Sequence, residues 1–287
     1  MENDKKVLAC VDHSQYAEPV AHYAAWAARS LEAPLVFVHA LDRHLEQGSG
    51  DDHSGAIGID AQENLADKLT AEDAARTALG REQGRVLLNG LHETARRFGV
   101  ANAQLSLRHG TLGETLADQE PQARLVVLGR GADRSGSDGN DVSKVVETTV
   151  RGTQVPVLIV SEPFTEPGSA LVAFDNGTAA RHAIEMIASS PLFQDMKISL
   201  FMGGEDNHDN RQQLQWATAT LSAAGRDAHV LLQAGDVANN VAAALQEHAI
   251  DMLLMGAYGH SALRSMIFGS KTAGILHAVR VPILLLR

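Results

Sequence analysis

Short apolar runs alternate along the chain with stretches whose apolar residues recur every three or four positions. In the first half the runs are Val7 to Val11, Leu35 to Ala40, Leu125 to Leu128 and Val157 to Val160, with a further strand read at Gln104 to Arg108. In the second they are Ala170 to Phe174, Ile198 to Met202, His229 to Leu232, Met252 to Met255 and Ile283 to Leu286. Runs such as Leu125-Val126-Val127-Leu128 have no polar alternation, which suits strands buried on both faces of a parallel sheet. Between the first two runs, Tyr16, Val20, Tyr23, Ala27 and Leu31 repeat at steps of three and four, the period of a helix with one apolar face. Further helices are expected near 85–98, 111–119, 143–151, 178–189, 211–224 and 237–247. Strand and helix in alternation predict an α/β fold with helices on both faces of a parallel sheet.

The order occurs twice. Val7-Leu8-Ala9-Cys10-Val11-Asp12 matches Ala170-Leu171-Val172-Ala173-Phe174-Asp175, and Val155-Pro156-Val157-Leu158-Ile159-Val160 matches Val281-Pro282-Ile283-Leu284-Leu285-Leu286. Two tandem copies account for this. The segment Ser161 to Gly168 carries two prolines and a glycine, which break helix and strand alike, so the expected domains are 1–162 and 168–287. The segment 42–84 has no counterpart of similar length in the second half. Its first part, through Gly48, Gly50, Gly55 and Gly58, reads as a mobile loop, and Thr70-Ala71-Glu72-Asp73 as the start of a helix. A lid, a partner-binding arm and plain surface elaboration all remain open for it. His44, Asp51, Asp52 and His53 are too loosely spaced to define a metal site.

The chemistry concentrates after Met252-Leu253-Leu254-Met255. There the chain reads Gly256-Ala257-Tyr258-Gly259-His260 and, after the nine residues His260 to Phe268, Gly269-Ser270-Lys271-Thr272, with a helix expected from Thr272 to Ala278. Glycines at the end of a strand let the backbone approach a ligand closely, and a helix start offers unpaired N–H groups and partial positive charge, which suits phosphate. A Walker loop is excluded, because Ser270 separates glycine from lysine and Arg264 stands where its first glycine belongs. The dinucleotide fingerprint is absent from the first strand-helix turn of both halves. Gly259-His260-Ser261-Ala262-Leu263 fails as a nucleophile elbow at Leu263.

The spacing G-x2-G-x9-G-[S/T], met by Gly256, Gly259, Gly269 and Ser270, resembles the ATP-binding signature of the universal stress protein family. The resemblance, supported by a repeat that covers nearly the whole chain, implies two tandem Rossmann-like domains. Each would have a five-stranded parallel sheet of order 3-2-1-4-5, binding ligand where the strand order reverses. It further implies that Ala173, Phe174 and Asp175 contact adenine, that Met202 lines its pocket, that Met255 borders ribose and phosphates, and that Lys271 belongs to the phosphate loop. The cofactor would be ATP with Mg²⁺. From the residues alone, Asp175 either accepts the adenine amino proton or caps the helix that begins at Thr178. His260, Arg264 and Lys271 either stabilise phosphoryl charge or are solvated loop cations, and no catalytic base is identified.

The family likeness implies a nucleotide-dependent regulatory or stress-response binding protein with at most slow ATP hydrolysis. A true ATP-using enzyme and a nucleotide-independent interaction scaffold are the alternatives. It also implies that the two halves associate through their final strands as an internal pseudo-dimer, to which a homodimer of chains and an unidentified protein partner could be added.

The first half departs from the signature. Gly129 matches Gly256, but Ala132 stands for Gly259, and Val142-Ser143 or Ser143-Lys144, depending on the frame, for Gly269-Ser270. Side chains at close-approach positions, with Asp133, Asp138 and Asp141 nearby, predict no tight site there and hence one ATP per chain. The net charge of −11, with no block of Lys or Arg, argues against nucleic acid or an anionic membrane as partner. No stretch is long and apolar enough to span a membrane, and the amino terminus runs directly into a strand, so a cytoplasmic protein is expected. The single cysteine, Cys10, lies in an apolar run and reads as a buried, inert thiol.

Overall fold

The computed structural model describes residues 4–41, 59–131, 144–161, 163–256, 275–276 and 278–286. The first half contains β1 (Lys6–Cys10), α1 (Ala17–Ser30), β2 (Leu35–Leu41), α2 (Ile59–Arg97), β3 (Gln104–His109), α3 (Leu112–Gln119), β4 (Ala123–Gly129), α4 (Lys144–Gly152) and β5 (Val157–Val160). The second contains β6 (Ser169–Ala173), α5 (Thr178–Ser189), β7 (Lys197–Gly203), α6 (His208–Ala223), β8 (Ala228–Gln233), α7 (Val237–Glu247), β9 (Met252–Gly256) and β10 (Ile283–Leu286). All ten strands join one sheet of order β3-β2-β1-β4-β5-β10-β9-β6-β7-β8. Each half therefore has the order 3-2-1-4-5 that the resemblance implied.

Both faces of this sheet are covered over its inner strands, which is why those lack polar alternation, whereas the edge strands β3 and β8 are exposed or half-buried throughout. Val7, Ala9, Phe37 and Val127 of the first half and Val172, Leu200 and Leu254 of the second point to one side, against α1, α2, α5 and α6. Leu8, Val36, Val126, Leu171, Leu253 and Met255 point to the other, against α3, α4, α7 and the helical residues Ile275 and Leu276.

Within each half every strand pair is parallel, and the halves meet through the antiparallel pair β5–β10, with Ile159 opposite Ile283, Leu158 opposite Leu284 and Val157 opposite Leu285. Each uncharged final strand would be an open edge in an isolated half, and their pairing removes both edges. The linker is also held down. Phe164 packs its ring 4.9 Å from that of Tyr23 and 5.4 Å from that of Phe98, and Arg29 lies 3.5 Å from Glu166.

The turns repeat as well. Gly110 and Gly235 close β3 and β8 at φ 110° and 111°, conformations that favour glycine, and the next residues, Thr111 and Asp236, cap α3 and α7. Thr111 Oγ1 accepts from Glu114 N at 3.2 Å while Glu114 Oε2 accepts from Thr111 N at 2.9 Å, a full capping box.

One expectation is corrected. Residues 59–97 form a single 39-residue helix, not separate helices from Thr70 and near Arg85. Gly84 is a seat rather than a break: a Cβ there would lie 2.8 Å from Leu107 Cδ1 and 2.9 Å from His39 Cδ2, so its absence lets α2 lie against the sheet. The loop reading of residues 42–58 falls outside the described residues.

Candidate functional site

From β6 the chain passes through α5 to β7 on one side, whereas from β8 it passes through α7 to β9 on the other, so the carboxyl ends of β6 and β9 flank the reversal of strand order. Ala173 pairs with Met255 across these strands and with Phe201 on β7. Phe174 N extends the ladder, donating to Phe201 O at 2.8 Å. Ala173, Phe174, Asp175, Met202, Met255 and Gly256 thus share one end of three adjacent strands. Gly259, Gly269, Ser270 and Lys271, with His260 and Arg264, lie outside the described residues.

The apolar members of this set are mostly committed to the core. Phe174 is 2% exposed and Met202 3%, both on the α5/α6 side, and Met255 packs on the opposite side. Asp175 is exposed. Its Oδ1 accepts from Gly177 N at 2.9 Å, closing an Asx turn ahead of α5, while Oδ2 has no hydrogen-bond partner among the described residues. Gly177 is the N-cap of α5 and receives no side-chain cap, so the carboxylate stabilises the turn rather than the helix's own first amides. Gly256 has a packing role as well as its place in the motif, because a Cβ on it would lie 3.0 Å from Ala179 Cβ.

Sequence reasoning missed the support behind this turn. The Phe174 ring stacks on Trp216 of α6 at 6.2 Å and 17°, and the Arg181 guanidinium lies 4.3 Å above the same indole. Arg181 Nε also donates to Asn176 Oδ1 at 2.9 Å. Only packing between α5 and α6 brings these residues together, and no short-range pattern marks them.

The first half repeats the frame with different chemistry. Asp12 Oδ1 accepts from Ser14 N at 3.0 Å, and Val11 N donates to Val38 O at 2.9 Å. His39 takes the place of Met202. It is 6% exposed, its Nδ1 donates to the Val11 carbonyl at 2.8 Å, and its ring meets His13 edge-on at 5.3 Å. Burial pulls its pKa below the ordinary 6.5; the Val11 bond opposes this, neighbouring His13 reinforces it, and Asp12 opposes it. Gly129, like Gly256, is required by packing, since a Cβ there would fall 2.5 Å from Tyr16 Cβ. Arg130 follows where Ala257 follows in the second half. It is 2% exposed, and its Nη1 donates across the two halves to the Val279 carbonyl at 2.7 Å. Ala132, Val142 and Ser143 lie outside the described residues.

Among the described residues, no cluster of three or more His, Cys, Asp or Glu side chains is arranged to hold a metal ion, and no helix is long and apolar enough to cross a membrane.

Comparison with known proteins agrees with this architecture. Along 286 residues the chain is 26% identical to universal stress protein Slr1230 of Synechocystis, covering 99% of this chain and 100% of that protein. The crystal structure of a universal stress protein from Archaeoglobus fulgidus superposes with a TM-score of 0.72 at 17% identity, covering 100% of this chain and 97% of the other. A functionally unknown protein from Pseudomonas aeruginosa PAO1 gives 0.60 at 15% identity, covering 99% and 93%. At these identities the two structures speak for the fold. The model of the universal stress protein family matches twice, over residues 4–161 and 169–287, and the chain belongs to that family.

Proposed function

We propose that the chain is a nucleotide-dependent regulatory protein of the stress response, built from domains 1–162 and 168–287, that binds one ATP in its second half. The observation that carries this reading is the complete motif Gly256, Gly259, Gly269 and Ser270, which only the second half has and which begins at the end of β9, where the strand order reverses. The residues fit a nucleotide. Asp175 and the main chain of Ala173 and Phe174 would hold the adenine, over a floor containing Met202, with Met255 beside the ribose. Gly256, Gly259, Gly269, Ser270 and Lys271 would surround the phosphates, where backbone amides and a helix start suit an anion. Mg²⁺, when bound, supplies positive charge on the phosphate oxygens. The reading takes the nucleotide as a signal, with at most slow hydrolysis.

Thermal unfolding with and without ATP and Mg²⁺ tests it. Saturation at about 100 times Kd should stabilise the chain by about 2.7 kcal/mol. ADP release should stay below one equivalent over the binding period. A melting temperature indifferent to ATP would favour the scaffold alternative, and ADP release over many turnovers the enzyme.

A further inference from the structure

Asp175 is flanked by two residues that are tied to the same object. Phe174, before it, stacks on Trp216; Asn176, after it, accepts a hydrogen bond from Arg181, whose guanidinium lies on Trp216. Asn176 stands at φ 58°, in the left-handed region, where few residues other than glycine and asparagine settle without support. With Asn176 in that conformation, the Gly177 amide reaches back to Asp175 Oδ1 at 2.9 Å. Indole, guanidinium, asparagine and carboxylate therefore form a closed chain of contacts around the turn.

The first half has the same Asx turn without this support. Val11, His13 and Glu18 stand where Phe174, Asn176 and Arg181 stand, so neither the aromatic stack nor the cation is available. Among the described non-glycine residues only Glu32, Asn176 and Ala249 have positive φ, so His13 does not share the left-handed conformation of its counterpart. The clamp thus belongs to the half that retains the full glycine motif.

We propose that Arg181 and Trp216 are positioning residues that hold Asp175 in its turn at the crevice and thereby set the affinity for the adenosine end of the nucleotide. The second clause rests on the ATP-binding reading; the first does not. An aromatic and cationic clamp costs no binding energy at the moment of association, because the turn is already formed.

The test uses the full chain with Arg181→Met and Trp216→Leu, and has two arms. In the ligand-free protein, amide hydrogen exchange at Gly177 should accelerate in both variants while Ile184, in the interior of α5, keeps its protection. In calorimetric titrations both variants should lose affinity for adenosine and for ATP by the same factor, about three- to thirtyfold, the range spanned by exposed to buried cation–π contacts. Inorganic triphosphate, which lacks the adenosine end, should bind as it does to the parent. Adding Asn176→Gly to Arg181→Met should recover part of the loss, because glycine takes the left-handed conformation unaided. Unchanged Gly177 exchange overturns the clamp whether or not ATP binds, and an equal loss for triphosphate marks general loosening and overturns it too. A parent that binds neither adenosine nor ATP overturns the nucleotide reading, and with it the affinity clause, while the clamp is still judged by Gly177.

Discussion

Asp12 and Asp175 occupy equivalent places in the two halves and make the same turn, each accepting an amide hydrogen bond from the residue two positions on, at 3.0 and 2.9 Å. The Asx hydrogen bond is therefore common to both halves, and the carboxylate alone does not separate a ligand-binding half from one without a ligand; the second half adds the left-handed Asn176 and its Arg181–Trp216 support. Replacement by alanine should destabilise either half similarly, by about 1 kcal/mol, the usual net worth of such a hydrogen bond. Urea unfolding of Asp12→Ala and Asp175→Ala checks this. Only the second substitution should also weaken ATP.

The halves share one sheet, so they should unfold together. Leu158 and Leu284 face each other across the β5–β10 junction, each 1% exposed. Leu158→Ala should cost about 2–5 kcal/mol, as buried leucine truncations do. The calorimetric scan should keep a single transition at a lower temperature. Two resolved transitions, only one of them shifted, would mean that the junction does not couple the halves.

Acid should weaken the first half through the buried His39 and the half-buried His22. His39 and His22 both have pKa values lowered by burial, the effect on His22 being partly offset by Glu18. Above the ordinary value of 6.5 the side chains are neutral in folded and unfolded chains alike, and the stability is fully present. As pH falls through 6.5 towards the depressed folded values, the unfolded chain takes up protons first and stability is lost, at up to about 1.4 kcal/mol per pH unit for each proton. Unfolding measured from about pH 8 to about pH 5 should show this loss, and His39→Met, which installs the residue of the second half, should reduce it without abolishing it because His22 remains.

Cys10 should be silent in the native protein. Burial raises its thiol to about 12, so almost no thiolate, the reactive form, exists at neutral pH. Labelling by a thiol reagent should proceed no faster than unfolding and should accelerate with urea in parallel with it. Rapid labelling in the absence of denaturant would contradict the burial.

How far the sequence could be read depended on the range of the interactions involved. α5, α7, β5 and β10 fall at the residues expected, because their signals are local: Gly177 and Asp236 start the helices, and Pro156 and Pro282 stand just ahead of the strands. α2 is one helix where the sequence suggests separate helices from Thr70 and near Arg85, and the approach of His39 and Leu107 to Gly84 is a contact no local pattern marks. Arg130 could not be anticipated, since its partner carbonyl at Val279 lies 149 residues away in the other half. The same holds for Trp216, whose neighbours Phe174 and Arg181 are set by helix packing. At the candidate site the spacing of Gly256, Gly259, Gly269 and Ser270 was legible, and the observed order sets β6 next to β9 as the family resemblance implied.

We propose an asymmetry between the two halves of the sheet, with ATP bound by the second alone. Calorimetric titration of nucleotide-stripped protein with ATP and Mg²⁺, repeated on Gly269→Val and Asp12→Ala, measures it most directly. Charge-assisted hydrogen bonds contribute roughly 1.5–3 kcal/mol each, so obstructing the Gly269-Ser270 amides should weaken ATP by about one to two decades or more. The account predicts one site per chain in the parent, that loss in Gly269→Val with folding retained, and an unchanged isotherm in Asp12→Ala. Two equivalent sites, a folded Gly269→Val that binds like the parent, or a loss through Asp12→Ala would contradict it.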